Sequence, residues 1–415
     1  MNTYISKLTI AIVAVLVIGL GAAIPAMAYP EPPAAARAAI TKRIVTPTGT
    51  TIPESNFTFE FQQMARDRAT GDLSVMDSDD LSFIETTLSA SVSFEAGAYH
   101  MAETEDFLAG VTWPHAGDFI FIVSETANTN TLAANEHMTY SSESFIVVVS
   151  VINHYGLLIP AGAFALPATP GTEGTLPQDS DPDSKIDPTP GTPGEDGEPG
   201  TFSNLQFSNV FSRDIIGTFD DPALEVTKDV VGVYANLILP FEFTLNLGIP
   251  AEALDRAEPF AFAQPAVATI LDAEGDVVRT VPIEGTMPNF TLDFTLSAGE
   301  RLAIPVLPAG TTFLAAEAQQ PEYNGDLDVV VGGTLVVSYE EAEGDDIAMA
   351  IARNLSDAGR NAADFTNTHN HSPLTGLIIG SMPILAIIIG ATLALSMMVA
   401  SRSRQRVEQM SLLYY

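Results

Sequence analysis

Phe57-Thr58-Phe59-Glu60-Phe61 alternates aromatic and polar side chains with a period of two, the pattern of a strand with one face in a core and the other in water. The same period recurs outward from it, in Phe119-Ile120-Phe121-Ile122-Val123, Phe241-Glu242-Phe243-Thr244-Leu245 and Phe290-Thr291-Leu292-Asp293-Phe294. Residues 145–151 and 333–339 are strand-like as well, the former apolar on both faces. Turn formers separate these runs, and long amphipathic helical patterns are lacking. The expectation is an all-β chain of two tandem β-sandwiches.

Composition narrows the function classes. The 415 residues suffice for two or three domains, and a hydrophobic content of 46% allows sizeable cores. Seventeen basic against 52 acidic residues give a net charge of −35, which argues against nucleic acid or an anionic membrane surface as partner. The absence of cysteine excludes disulfides, thiolate zinc sites and cysteine nucleophiles. Only four lysines occur, Lys7, Lys42, Lys185 and Lys228, against 13 arginines.

Both ends are hydrophobic. Residues 1–28 read as a secretory signal, with Lys7 before an apolar stretch and Ala26-Met27-Ala28 as the cleavage site. Residues 376–400 carry no charge and are long enough to cross a bilayer, and Arg402, Arg404 and Arg406 follow. The positive-inside rule places the tail, 401–415, in the cytoplasm and exports the bulk of the chain to the cell surface. Ser372-Pro373-Leu374-Thr375-Gly376 precedes the span, so that 372–400 resembles the cell-wall sorting signal of Gram-positive surface proteins. Ser372 stands where that motif has Leu. The resemblance implies sortase and peptidoglycan as partners; without sorting, the helix itself anchors the chain in the membrane.

Residues 167–200 are rich in Pro, Gly, Asp and Glu. Asp179, Asp181, Asp183 and Asp187 have the spacing that opens a calcium loop, but Ser184 replaces its glycine and Pro190 its final glutamate. A solvated acidic loop is expected, with no metal and no cofactor.

One set of motifs occurs twice in the same order. Ile40-Thr41-Lys42-Arg43-Ile44 is matched by Val226-Thr227-Lys228-Asp229-Val230. An apolar strand ending in glutamate follows each, Phe121 to Glu125 and Phe313 to Glu317. Each set closes on Phe207-Ser208-Asn209-Val210-Phe211 or Phe365-Thr366-Asn367-Thr368-His369. Ile40 and Ile44, or Val226 and Val230, flank each lysine at i±2 and so share its face of the strand. Met138-Thr139-Tyr140 also stands before the 145–149 strand, and Leu307-Pro308-Ala309-Gly310-Thr311 before the second glutamate strand, each occurring once.

This order resembles the pilin isopeptide-linkage domains of Gram-positive surface proteins and their collagen-adhesin B-type relatives. The resemblance implies immunoglobulin-like sandwiches at 38–215 and 222–371, with 167–200 an insertion in the first. It also implies self-formed amide bonds, Lys42 to Asn209 and Lys228 to Asn367. Glu125 and Glu317 would act as proton shuttles that also polarise the asparagine carbonyls. Burial favours the neutral, nucleophilic amine such a reaction needs. Asn204 competes with Asn209 but lacks an aromatic two residues later. Lys185 is the one lysine expected to be exposed.

The function expected is therefore a non-enzymatic, surface-anchored stalk or adhesin, with other pilins or a host matrix or glycan ligand as further partners. A membrane-anchored extracellular hydrolase or a glycan-binding protein is the alternative. G-x-S-x-G, H-E-x-x-H and Walker motifs are all missing from the sequence. If sorting operates, peptidoglycan hydrolases should release the protein with Thr375 as its last residue, read by mass spectrometry of the released C-terminal peptide. Recovery only in detergent, with the tail intact, would make the helix the anchor.

Overall fold

The computed structural model describes residues 31–369, apart from 68–69, 71, 87, 98–99, 169–183, 193–199, 233–234 and 341–349. The signal segment, Asp179, Asp181, Asp183, Ser372 to Gly376 and the apolar segment after them lie outside the described residues. No helix among the described residues is long and apolar enough to cross a membrane.

The chain is nearly all β, in several sheets. Its N-terminal half comprises β1 (Thr41–Val45), β2 (Ser55–Arg66), β3 (Leu73–Val75), β4 (Ser89–Phe94), β5 (Met101–Glu103), β6 (Gly117–Glu125), β7 (Glu136–Thr139), β8 (Ser144–His154), β9 (Leu157–Ala168) and β10 (Gln206–Ile216). The C-terminal half continues with β11 (Leu224–Val231), β12 (Phe241–Gly248), β13 (Val267–Leu271), β14 (Val277–Pro282), β15 (Glu284–Thr286), β16 (Asn289–Leu296), β17 (Arg301–Ile304) and β18 (Val306–Pro308). It ends with β19 (Thr312–Glu317), β20 (Tyr323–Val331), β21 (Thr334–Glu340), β22 (Ala350–Asn354) and β23 (Ala362–His369).

In the N-terminal half, one sheet runs β3-β2-β6-β8-β9 with β4 beside β2, and the other runs β10-β1-β5 with β7 beside β10. Their facing side chains form one cluster, in which Phe57, Phe59, Phe121, Val123, Val147 and Val149 meet Ile40, Ile44, Phe207 and Phe211. In the C-terminal half the sheets run β14-β13-β17-β11-β23-β20-β21 and β15-β16-β12-β19-β22, around a separate cluster that includes Val226, Phe243, Leu245, Phe313, Leu327 and Phe365. The period-two aromatics thus point inward, as strand alternation requires. The doubly apolar 145–151 run has its own explanation. Ile146 and Val148 turn to the opposite face of their sheet, where they pack with Met64, Ile120 and Leu166.

In each half the first strand lies parallel to the last. β1 pairs with β10 and β11 with β23, so the two ends of each half sit side by side. Parts of the acidic stretch are tied to the N-terminal half. Ile186 exchanges backbone hydrogen bonds with Ala165, and the Ala39 N–H donates to the Pro188 carbonyl.

The halves meet at a built joint. β18 pairs with the end of β10, Ile215 opposite Leu307. Arg213 bridges Glu136 (2.5 Å) and Asp357 (2.6 Å), and Asp357 also accepts from the Thr51 N–H and hydroxyl, both at 2.9 Å. Arg256 holds Asp214 through two bonds, at 3.0 and 2.9 Å. Gly310 has φ +81°, and a Cβ there would lie 2.3 Å from Pro47 Cβ. Gly310→Ala should therefore weaken the joint by about 1–3 kcal/mol, through backbone strain and overpacking. The expected readout is faster limited proteolysis within 217–222; an unchanged rate would show that the joint tolerates the methyl group.

Candidate functional site

Lys42 projects into the N-terminal core because its neighbours at i±2, Ile40 and Ile44, are core residues and Arg43 faces outward. Its Nζ donates to Glu125 Oε2 at 2.7 Å, and both side chains have 0% exposure. Asn209, equally buried, donates from Nδ2 to the other oxygen of the same carboxylate at 2.8 Å. Lys42 stands opposite Phe207 in the parallel ladder, and Asn209, two residues on, is on the same face. Glu125 arrives from the facing sheet as the last residue of β6, opposite Phe59.

The C-terminal half repeats this register residue for residue. Lys228 is opposite Phe365, Asn367 lies two residues on, and Glu317 ends β19 opposite Phe243. Lys228 Nζ lies 3.0 Å from both Glu317 oxygens, and Asn367 Nδ2 donates to Oε1 at 2.5 Å. An aromatic face covers each ammonium, Phe57 at 4.8 Å and Phe241 at 4.2 Å from the ring centroid.

Burial is the largest influence on both lysines and lowers each to about 8, against the opposing pull of its glutamate. About a tenth of each amine is then neutral at pH 7, against fewer than about one in a thousand for an ordinary lysine. The carboxylate touches the nitrogen that would attack and the nitrogen that would leave. It can therefore take a proton from the amine and return it to the departing ammonia.

The expectation that glutamate polarises the asparagine carbonyl is not what the geometry gives. In the N-terminal half the Ser141 backbone N–H donates to Asn209 Oδ1 at 2.7 Å, while Glu125 holds the amide nitrogen. A main-chain donor has no side-chain signature, and only its place just beyond β7 could have suggested it. Asn204 is exposed, with its N–H on the Asp187 carbonyl, which removes it as a competitor. Lys185 is exposed, its Nζ 4.6 Å from the Phe164 ring centroid. Asp187 caps the Thr189 N–H at 2.9 Å, and no three His, Asp or Glu among the described residues form a metal-binding group. Among the described residues Ser82 and His115 meet at 2.8 Å, but the pair is exposed and the second ring nitrogen faces the Ala116 carbonyl rather than a carboxylate.

No family model matches the sequence, and no curated protein matches it. Among solved structures, the major pilin of Streptococcus pyogenes is similar at 16% identity over 81% of this chain and 99% of that one, with a TM-score of 0.31. The T-13 major pilin of the same species matches at 17% identity, 81% and 98% coverage and a TM-score of 0.29. A pilus-presented adhesin matches at 10% identity, 80% and 99% coverage and a TM-score of 0.22.

The lowered lysines set a pH dependence for any chain in which both amines stay free, such as Asn209→Ala with Asn367→Ala. Between pH 8 and 10.5 the unfolded chain binds more protons than the folded one, so stability rises with pH across that window. The expected gain is up to about 3 kcal/mol per lysine, read from urea unfolding midpoints. Replacing both lysines by Met should abolish the rise.

Proposed function

We propose that the chain is a non-enzymatic structural or adhesive protein of the cell surface, a stalk of two immunoglobulin-like sandwiches at 38–215 and 222–371. Each sandwich is locked by an amide bond that it forms itself, Lys42 to Asn209 and Lys228 to Asn367. The C-terminal segment anchors it to membrane or cell wall, and other pilins or a matrix or glycan ligand are its partners.

One observation carries this reading: in both halves a buried lysine and a buried asparagine converge on a single carboxylate in the same register. A buried ion pair by itself contributes little stability, because desolvation offsets the attraction. The same three groups arranged twice in that register are better explained by chemistry. Nζ attacks Cγ, a new C–N bond forms, the amide C–N bond breaks, and ammonia departs with the proton carried across by the glutamate. By loop entropy each link would stabilise its half by about 5 kcal/mol, with no sulfur chemistry.

The exported protein should weigh less than its sequence by about 17 Da per bond, one ammonia each, and about twice that for both. Lys42→Ala, Lys228→Ala, Glu125→Ala and Glu317→Ala should each restore one ammonia in intact-mass spectra. A wild-type protein at full sequence mass would overturn the mechanism.

A further inference from the structure

The two sites share a register but differ at the asparagine carbonyl. β7 pairs with β10 as far as Thr139 opposite Val210, and there the strand ends. The chain then turns inward at Tyr140 and Ser141, and the Ser141 N–H reaches Asn209 Oδ1. The turn is fixed on both sides. Tyr140 packs on Phe57 at 6.3 Å between centroids, its hydroxyl accepts from the Asn130 N–H at 3.2 Å, and the Ser141 hydroxyl accepts from the Glu143 N–H at 3.2 Å. In the C-terminal half the corresponding strand does not end. β20 stays in register with β23 through Gly325 opposite Asn367 and on to Val330 opposite Ala362. Asn367 Oδ1 is buried and has no hydrogen-bond partner among the described residues.

This difference bears on the step at which charge develops. When Nζ adds to Cγ, the carbonyl π electrons move onto Oδ1, which becomes an oxyanion until the C–N bond to Nδ2 breaks and ammonia leaves. A backbone N–H already aimed at that oxygen stabilises the intermediate with no reorganisation. We infer that the Ser141 N–H is the oxyanion donor of the N-terminal site, that the C-terminal site has no such donor among the described residues, and that the Lys42–Asn209 link therefore closes well before Lys228–Asn367. The inference rests on the cross-linking reading above. Other factors do not favour the first site: both amines are lowered to about 8, and each is held by its own glutamate. Loss of one oxyanion-hole donor slows acyl transfer by about 10²–10³-fold, so a rate difference on the order of 10²-fold is expected between the two links.

The test is a pulse of full-chain translation in a cell-free system, quenched in acid at intervals. After digestion, the two branched peptides are quantified separately by mass spectrometry. In wild type the Lys42–Asn209 peptide should appear on the order of 10²-fold faster. Ser141→Ala keeps the N–H while removing the hydroxyl that accepts from the Glu143 N–H, so its first link should still form much faster than its second. Ser141→Pro removes the N–H and should slow the first link toward the rate of the second. Because proline also constrains the backbone of the turn, the same N–H is replaced in parallel by an ester oxygen, with the α-hydroxy analogue of serine incorporated at position 141. The Lys228–Asn367 link in the same molecules reports that the rest of the chain has folded. Two links that accumulate together in wild type, or an ester variant whose first link forms at the wild-type rate, would overturn the oxyanion assignment while leaving cross-linking intact. If neither branched peptide forms in wild type, the cross-linking reading fails and this inference with it.

Discussion

A lysine amine withdrawn from water into an apolar core is the constraint on which the rest of this structure depends. Lys42 and Lys228 are among the largest fully buried side chains, in company otherwise made up of phenylalanine and isoleucine. Removing an ammonium from water costs several kcal/mol, which neither a carboxylate nor an aromatic face fully restores. Each lysine therefore loses basicity, and everything around it follows from accommodating it. A glutamate must end a strand of the facing sheet at the right level, a phenylalanine must cover the nitrogen, and an asparagine must come alongside on a parallel neighbour. All three conditions are met in both halves.

The parallel closure of first strand on last explains how two residues far apart in sequence become neighbours on one sheet face. With the bonds closed, tension entering at β1 would pass sideways into β10 without unzipping the strands between, and the same would hold for β11 and β23. The joint continues that path. β10 runs directly into its pairing with β18, and near its end Arg213 reaches Asp357 while Asp214 is held by Arg256. A stalk built this way would carry load through short covalent and hydrogen-bonded steps rather than through the cores.

Much of this was legible in the sequence, for a physical reason. The chemistry needs particular residue types, and lysine is so scarce here that its placement stands out from the 13 arginines. Two-residue periodicity fixed which strand faces point inward, and the aromatic at Phe211 distinguished Asn209 from Asn204, the latter exposed. Two features were not legible. The Ser141 donor is a main-chain group, placed by where β7 stops rather than by the identity of any side chain. The joint depends on a three-residue strand, Val306–Pro308, pairing across the halves, and periodicity says nothing of which sheet a strand so short will join.

The central claim is that two pairs of side chains become bonded, and a crystal structure of the exported protein addresses it at the atoms concerned. The account predicts continuous density from Lys42 Nζ to Asn209 Cγ and from Lys228 Nζ to Asn367 Cγ, planar and at the amide C–N length of about 1.33 Å. Separate side chains with each nitrogen at van der Waals distance from its carbon, about 3 Å or more, would contradict it.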